Sequence, residues 1–178
     1  MDEQRLSSLS TLSEPFRSAI IWLRHRMDER NIPVLLWETG RTAQRQRFMF
    51  EGGSSRAEPG ESPHEFGFGA DFVIDSERCE TGRMVWHSES GSSRWVPFHF
   101  DCQSPRAVAT WRRFGDEVDK CGLVWGGNWK PLSKEGIGWA YTHVEMAGWR
   151  TYKPVDTKTS KKQDREITLC EKTILLRT

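Results

Sequence analysis

This sequence predicts an α+β domain in which a small antiparallel sheet packs against helices. Three observations lead there: helical apolar stripes come first, short runs of aromatic and β-branched residues follow, and one more helix is inserted between those runs. Ser13-Glu14-Pro15 reads as the cap of a helix running to about Glu29, with Phe16, Ile20, Leu23 and Met27 as its apolar stripe. Asn31-Ile32-Pro33 breaks that helix, and Val34-Leu35-Leu36-Trp37 reads as a buried strand leading to Arg41. A second helix from Ala43 to about Glu51 ends at Gly52-Gly53, and a polar loop spans 54–61. Ala70-Asp71-Phe72-Val73-Ile74 alternates like a half-buried strand.

Met84-Val85-Trp86-His87 and Trp95-Val96-Pro97-Phe98-His99-Phe100, joined by Ser-Glu-Ser-Gly-Ser-Ser, read as a hairpin. Its His87 and His99 read as cross-strand neighbours and are assigned no site. A helix from Pro105 to about Lys120 buries Val108, Trp111, Phe114 and Val118 and ends at Cys121-Gly122. From about Lys153 the chain is polar and charged and cannot bury much surface. The expected division is therefore a domain over 1–152 and a polar linker with C-terminal extension over 153–178. Short apolar pieces near the end of that extension suit three roles: an added edge strand, a dock for a protein partner, or packing back on the domain.

Composition narrows the function classes. The chain has 178 residues and a net charge of +1, so it carries no strong field for nucleic acid or an anionic membrane. The start MDEQRLSSLS lacks a basic, then apolar, signal pattern, and AIIWL is far too short to span a bilayer. Synthesis in a cytoplasm without a signal peptide is the expectation. Cys79, Cys102, Cys121 and Cys170 form no CxxC pair and read as free thiols. Trp125, Trp129 and Trp139 stand beside the blocks described next; packing is the ordinary role of each, and lining a groove for sugar or peptide is the functional one.

The segment SPHEFGFGADFVID sets His64 and Asp71 seven residues apart around a glycine-rich turn, and YTHVEM offers His143 in a strand-like run. Two neutral imidazoles and one carboxylate suit a divalent ion, and three protein ligands leave a fourth position for water, as in a catalytic zinc site. A His and an Asp at this spacing also occur by chance, and a lone histidine is more often a surface or core residue. The local chemistry favours the site, because Gly67 and Gly69 let the chain approach itself closely.

SPHEFGFGAD resembles the Ser-x-His-x-x-Gly-x-Ala-x-Asp signature of the zinc peptidases that include D-alanyl-D-alanine carboxypeptidases and phage L-alanyl-D-glutamate endopeptidases. WETGRTAQRQ is similar to that family's Arg-x-x-x-x-Gln element, and CGLVWGGNW to the Gly-Leu-x-Trp-Gly-Gly-x-Trp block before its second zinc histidine. The resemblance implies Zn2+ held by His64, Asp71 and His143. It implies Arg41 beside the scissile carbonyl, where a guanidinium can hold a developing oxyanion or a carboxylate. Gln46 and Ser62 would assist on the substrate side and support the loop by hydrogen bonding. Gly69 stands where the family has alanine.

One departure bears on activity. The family has an acidic residue three positions before the second zinc histidine, which takes a proton from the attacking water and passes it to the leaving amine; here that position is Ala140. Positioned acid-base catalysis is worth roughly 100- to 10,000-fold in rate. Three readings of Ala140 follow. The first is replacement of an acid by alanine, giving an inactivated variant. The second is a base from elsewhere, Glu135 or Glu145, although Glu145, on the same strand face as His143, reads better as a partner that orients the imidazole. The third is a non-catalytic zinc module that binds wall fragments.

The resemblance therefore implies zinc-dependent hydrolysis of peptidoglycan peptide stems, of the L-alanyl-D-glutamate endopeptidase or endolysin type, with a D-alanyl-D-alanine carboxypeptidase as the alternative. Its place of action would be the bacterial cell wall, reached by release or delivery.

Overall fold

The computed structural model describes residues 5–75, 82–87, 92–97, 102, 104–130 and 136–152, with the backbone alone over 82–87 and 92–97. Helix α1 (Phe16–Glu29) buries Phe16, Ile20, Leu23 and Met27, the stripe its sequence spacing predicts. Its start is fixed differently from the expected cap. The Glu14 carboxylate accepts from the Ser18 amide and hydroxyl at 3.3 and 2.8 Å, while the Ser13 hydroxyl donates to the Phe66 carbonyl at 2.9 Å. Ser13 thereby ties the helix start to the turn that carries His64. Helix α2 (Ala43–Glu51) is capped by the Thr42 hydroxyl, which accepts from the Arg45 amide at 3.1 Å; Gln46 is its buried residue.

Six strands are described: β1 (Val34–Glu38), β2 (Gly69–Ile74), β3 (Gly82–His87), β4 (Ser92–Pro97), β5 (Leu123–Trp125) and β6 (His143–Met146). Four of them form one sheet in the order β1-β2-β6-β5, every neighbouring pair antiparallel, and β3 and β4 form the separate antiparallel hairpin. The architecture is α+β, with a small antiparallel sheet against helices. His99, Cys79, Cys170, Glu135 and the extension 153–178 lie outside the described residues, as does the His87 side chain. Among the described residues Cys121 is a free thiol.

Helices α1 and α3 (Pro105–Lys120) share one core with the sheet. Alternation along the strands sends Val34, Leu36, Ala70, Phe72, Ile74 and Val144 into it. Phe72 meets Phe114 of α3 with ring centroids 5.0 Å apart, and Phe114 in turn meets Trp111 at 5.7 Å and Trp125 at 6.3 Å.

Three expectations need correction. β1 is not buried throughout: Leu35, on the face opposite the core-facing Val34 and Leu36, is 49% exposed. β2 is flanked by strands on both sides, and Val73 is buried as fully as its neighbours, so the strand is not half-exposed. In α3 the buried position is Ala107, while Val108 turns partly outward.

Trp125 belongs to the core and does not line a groove. Its indole N–H donates to the Tyr141 carbonyl at 2.7 Å, and its ring lies where a side chain at Gly115 or Gly127 would begin: added Cβ atoms would come within 2.2 and 2.1 Å of it. The two glycines are therefore needed for volume, as a packed core has no room to spare. Gly115→Ala is expected to cost about 1–3 kcal/mol through overpacking and to lower the urea midpoint at unchanged slope. An unchanged midpoint would mean that α3 does not sit on Trp125 as described.

Candidate metal centre

Strand register builds the site. Val34, Leu35 and Leu36 pair with Ile74, Val73 and Phe72, but Glu38, not Trp37, then pairs with Asp71. This one-residue irregularity is a β-bulge, and it moves Glu38 from the helix-covered face to the opposite one. On the other side of β2, Asp71 pairs with His143. Glu38, Asp71 and His143 thus form a row across three strands, on one face, where directly opposed side chains touch.

His64 comes from the 3-10 turn Pro63–Phe66 beside that row. Gly67 ends the turn at φ 73°, and a Cβ there would meet the Ser13 amide at 2.7 Å. A Cβ at Gly69 would come within 3.0 Å of the His64 ring and amide, so glycine here lets the histidine rest directly on β2. The His64 Nδ1–H donates to the Thr39 carbonyl at 2.6 Å. Thr39 is itself held by the N-terminal segment. Its amide donates to the Leu6 carbonyl at 2.8 Å and its hydroxyl to the Ser8 carbonyl at 3.0 Å, and it accepts from the Thr11 hydroxyl at 2.7 Å.

His64, Asp71 and His143 form a group that could hold a metal ion, with one ligand atom of each within 4.8 Å of the others. His64 Nε2 lies 3.2 Å from His143 Nδ1 and 3.4 Å from Asp71 Oδ2, and His143 Nδ1 lies 3.2 Å from Asp71 Oδ1. Donors bound tetrahedrally at about 2.0–2.1 Å stand roughly 3.3 Å apart, so the spacing fits such an ion. The tautomers fit as well. Thr39 occupies Nδ1 of His64 and the Glu145 carboxylate lies 3.3 Å from Nε2 of His143, which turns the remaining nitrogen of each ring toward the shared point.

Charge is balanced around Asp71. Arg41 Nη2 donates to Asp71 Oδ2 at 2.5 Å and to Glu38 Oε2 at 2.6 Å, and its Nε also donates to Glu38 at 2.9 Å. The other Glu38 oxygen accepts from Arg45 Nε at 3.1 Å. Glu38 is almost wholly buried, so removing it would take a carboxylate away from both guanidiniums and leave Arg41 with Asp71 as its counter-charge. Burial lowers the pKa of His64, and Asp71 offsets this only in part. Burial alone would raise Asp71, yet His64, His143 and Arg41 hold its carboxyl well below the usual range. For His143, burial is likewise overcome: hydrogen bonds to Asp71 and Glu145 push it up to about 9.

A cleft of about 660 Å³ opens over the group. Ser62, Ala140, Glu145, Trp129 and Trp139 line it, as does Arg41. Ala140 presents a buried methyl group, and its carbonyl accepts from the His143 amide at 2.8 Å. Gln46 is fully buried and stands behind the cleft: its Oε1 accepts from Arg41 at 3.3 Å, and its Nε2 donates to Ser55 Oγ at 2.8 Å and to the Ala57 carbonyl at 2.7 Å. The Ser62 amide donates to the Glu65 carboxylate at 3.2 Å at the head of the His64 turn. Sequence reasoning missed Glu38 and Thr39. Glu38 stands in the WETGR block beside Arg41, a signal that was available; Thr39 acts through a main-chain carbonyl, which leaves none.

In the metal-free protein the folded pKa of His143, about 9, lies above its unfolded value near 6.5. The imidazolium therefore contributes stability that is complete below pH 6.5 and is lost as pH rises through about 9. NMR titration of the His143 ring is expected to show a midpoint near 9; one near 6.5 would mean that the two carboxylates do not face the ring.

No family model matches the chain, and no curated protein does. Among solved structures, the chain is similar to the Serratia marcescens L-Ala D-Glu endopeptidase ChiX, with 20% identity over 82% of this chain and 91% of that one and a TM-score of 0.46. It is also similar to the LdcB LD-carboxypeptidase, with 17% identity over 92% of this chain and 68% of that one and a TM-score of 0.48.

Proposed function

We propose that this chain is a zinc-site protein built for peptide-bond hydrolysis in bacterial peptidoglycan stems, with the L-alanyl-D-glutamate bond as target. The observation that carries this reading is the convergence of His64 Nε2, His143 Nδ1 and an Asp71 oxygen at tetrahedral spacing beneath an open cleft. The three ordered sequence blocks that resemble the peptidase family, with His143 following them, support it as well. Under this reading residues 1–152 are the catalytic unit, 153–178 an extension, and the site of action the cell wall.

Those three residues would hold the ion. When bound, it supplies polarisation of the scissile carbonyl and activation of a water molecule. Arg41 keeps the Asp71 carboxylate ionised and aimed, and its Nη1 carries one hydrogen more than Gln46 takes, available to a substrate oxygen. Glu145 orients the His143 ring through Nε2. Gln46 and Ser62 hold the loop and turn in place around the cleft.

Ala140 is the gap in this scheme, since a methyl group moves no proton. Ala140→Asp in the zinc-loaded chain is expected to raise muropeptide hydrolysis by about 100- to 10,000-fold. Absence of any gain with metal bound would favour the second reading, a zinc module that binds wall fragments without cutting them, for which Ala140 itself is the supporting observation. Product analysis of the cleaved stem separates the endopeptidase from a D-alanyl-D-alanine carboxypeptidase. Glu145→Gln is expected to weaken zinc binding by about 10- to 100-fold in a competition titration; unchanged affinity would assign Glu145 another role.

A further inference from the structure

Four arginines line the cleft, Arg41, Arg45, Arg56 and Arg150, and they divide into two kinds. Arg41 and Arg45 are ion-paired to Glu38, and Arg41 to Asp71 as well. Arg56 and Arg150 have no carboxylate partner among the described residues. Each lies over a tryptophan instead, Arg56 at 4.1 Å from the Trp139 ring centre and Arg150 at 4.4 Å from that of Trp149. Glu61 lines the same cleft and pairs with neither.

Position separates these two. Trp139 neighbours Trp129 with centroids 5.7 Å apart, and Trp129 neighbours the His143 ring at 5.6 Å. Arg56, Trp139, Trp129 and His143 therefore form a continuous wall from the outer cleft to the metal group. Trp149, under Arg150, stacks on Phe66 at 5.5 Å, at the seam with a second cleft of about 400 Å³ that also includes Tyr152. Among the described residues no ring contact links that pair to His143.

We infer that Arg56 is a specificity-determining residue that reads a carboxylate on the bound peptide from the outer end of the Trp129–Trp139 wall. Stacking on an indole orients a guanidinium without consuming its in-plane N–H donors, and these match the two oxygens of a carboxylate. An extended peptide advances about 3.3–3.6 Å per residue, so a chain with its reacting bond at the metal group brings an acidic group to Arg56 within a few residues. The ligand class is thus an anionic peptide. A neutral peptide would leave the guanidinium with water alone.

This inference rests on the peptide-stem reading above, and the test separates the two. The zinc-loaded chain is titrated calorimetrically with the tripeptide L-Ala-γ-D-Glu-L-Lys, its two carboxylates free, and with the corresponding bis-carboxamide. The expected result is tighter binding of the free acid, a loss of about tenfold for it in Arg56→Gln, a smaller loss in Arg56→Lys, and no change for the bis-carboxamide. Arg150→Gln should leave the preference in place. Equal losses for both peptides, or no loss for either, would overturn the role of Arg56 while leaving the stem reading intact. If the unsubstituted chain binds zinc but neither peptide, the stem reading fails and this inference falls with it.

Discussion

Asp71 has to satisfy two neighbours at once. One of its oxygens accepts from Arg41 while the carboxylate as a whole faces two imidazoles, and both demands are met only because the group is ionised in a largely enclosed place. Arg41 makes that tenable, and Glu38 in turn makes a buried Arg41 tenable. Arg41 is the shared member of the three: it pairs with both carboxylates, so its removal would take the guanidinium from Glu38 and Asp71 together. The sheet and its helices supply the frame that brings them together: Glu38, Asp71 and His143 come from three adjacent strands, and their opposite faces are covered by α1 and α3.

The histidines show the same economy. Each ring commits one nitrogen to an oxygen of the protein and keeps the other for the shared point, so neither is free to flip without losing a hydrogen bond. For His64 the partner is a main-chain carbonyl stapled by residues at the far N-terminal end of the described chain. The His64–Asp71–His143 group is therefore connected to parts of the sequence that carry no candidate ligand and no motif.

Much of the architecture was legible because strong local signals agreed with the tertiary outcome. The stripe of Phe16, Ile20, Leu23 and Met27 marks α1, and Gly52 marks the end of α2. His64, Asp71 and His143 stood out because the chemistry of their side chains is distinctive and their blocks fall in a fixed order. What stayed hidden depends on pairing. Whether the residues of β1 and β2 have both faces covered depends on what packs above and below the sheet, which neither segment encodes alone. The contribution of Thr39 lies in a carbonyl that every residue type possesses. The division of cleft arginines into paired and stacked ones likewise depends on what lies opposite each.

The bulge at Trp37 has a further consequence for how this chain tolerates change in length. It supplies a half-period offset, so that β1 faces the helices with Val34 and Leu36 yet faces the metal group with Glu38. Deleting one residue there would restore strict alternation and turn Glu38 back toward the apolar layer, away from Arg41 and Arg45. A gain or loss of residues in the polar loop 54–61 shifts no strand register. Changes of length in this chain are therefore tolerated in that loop and not between Leu36 and Arg41.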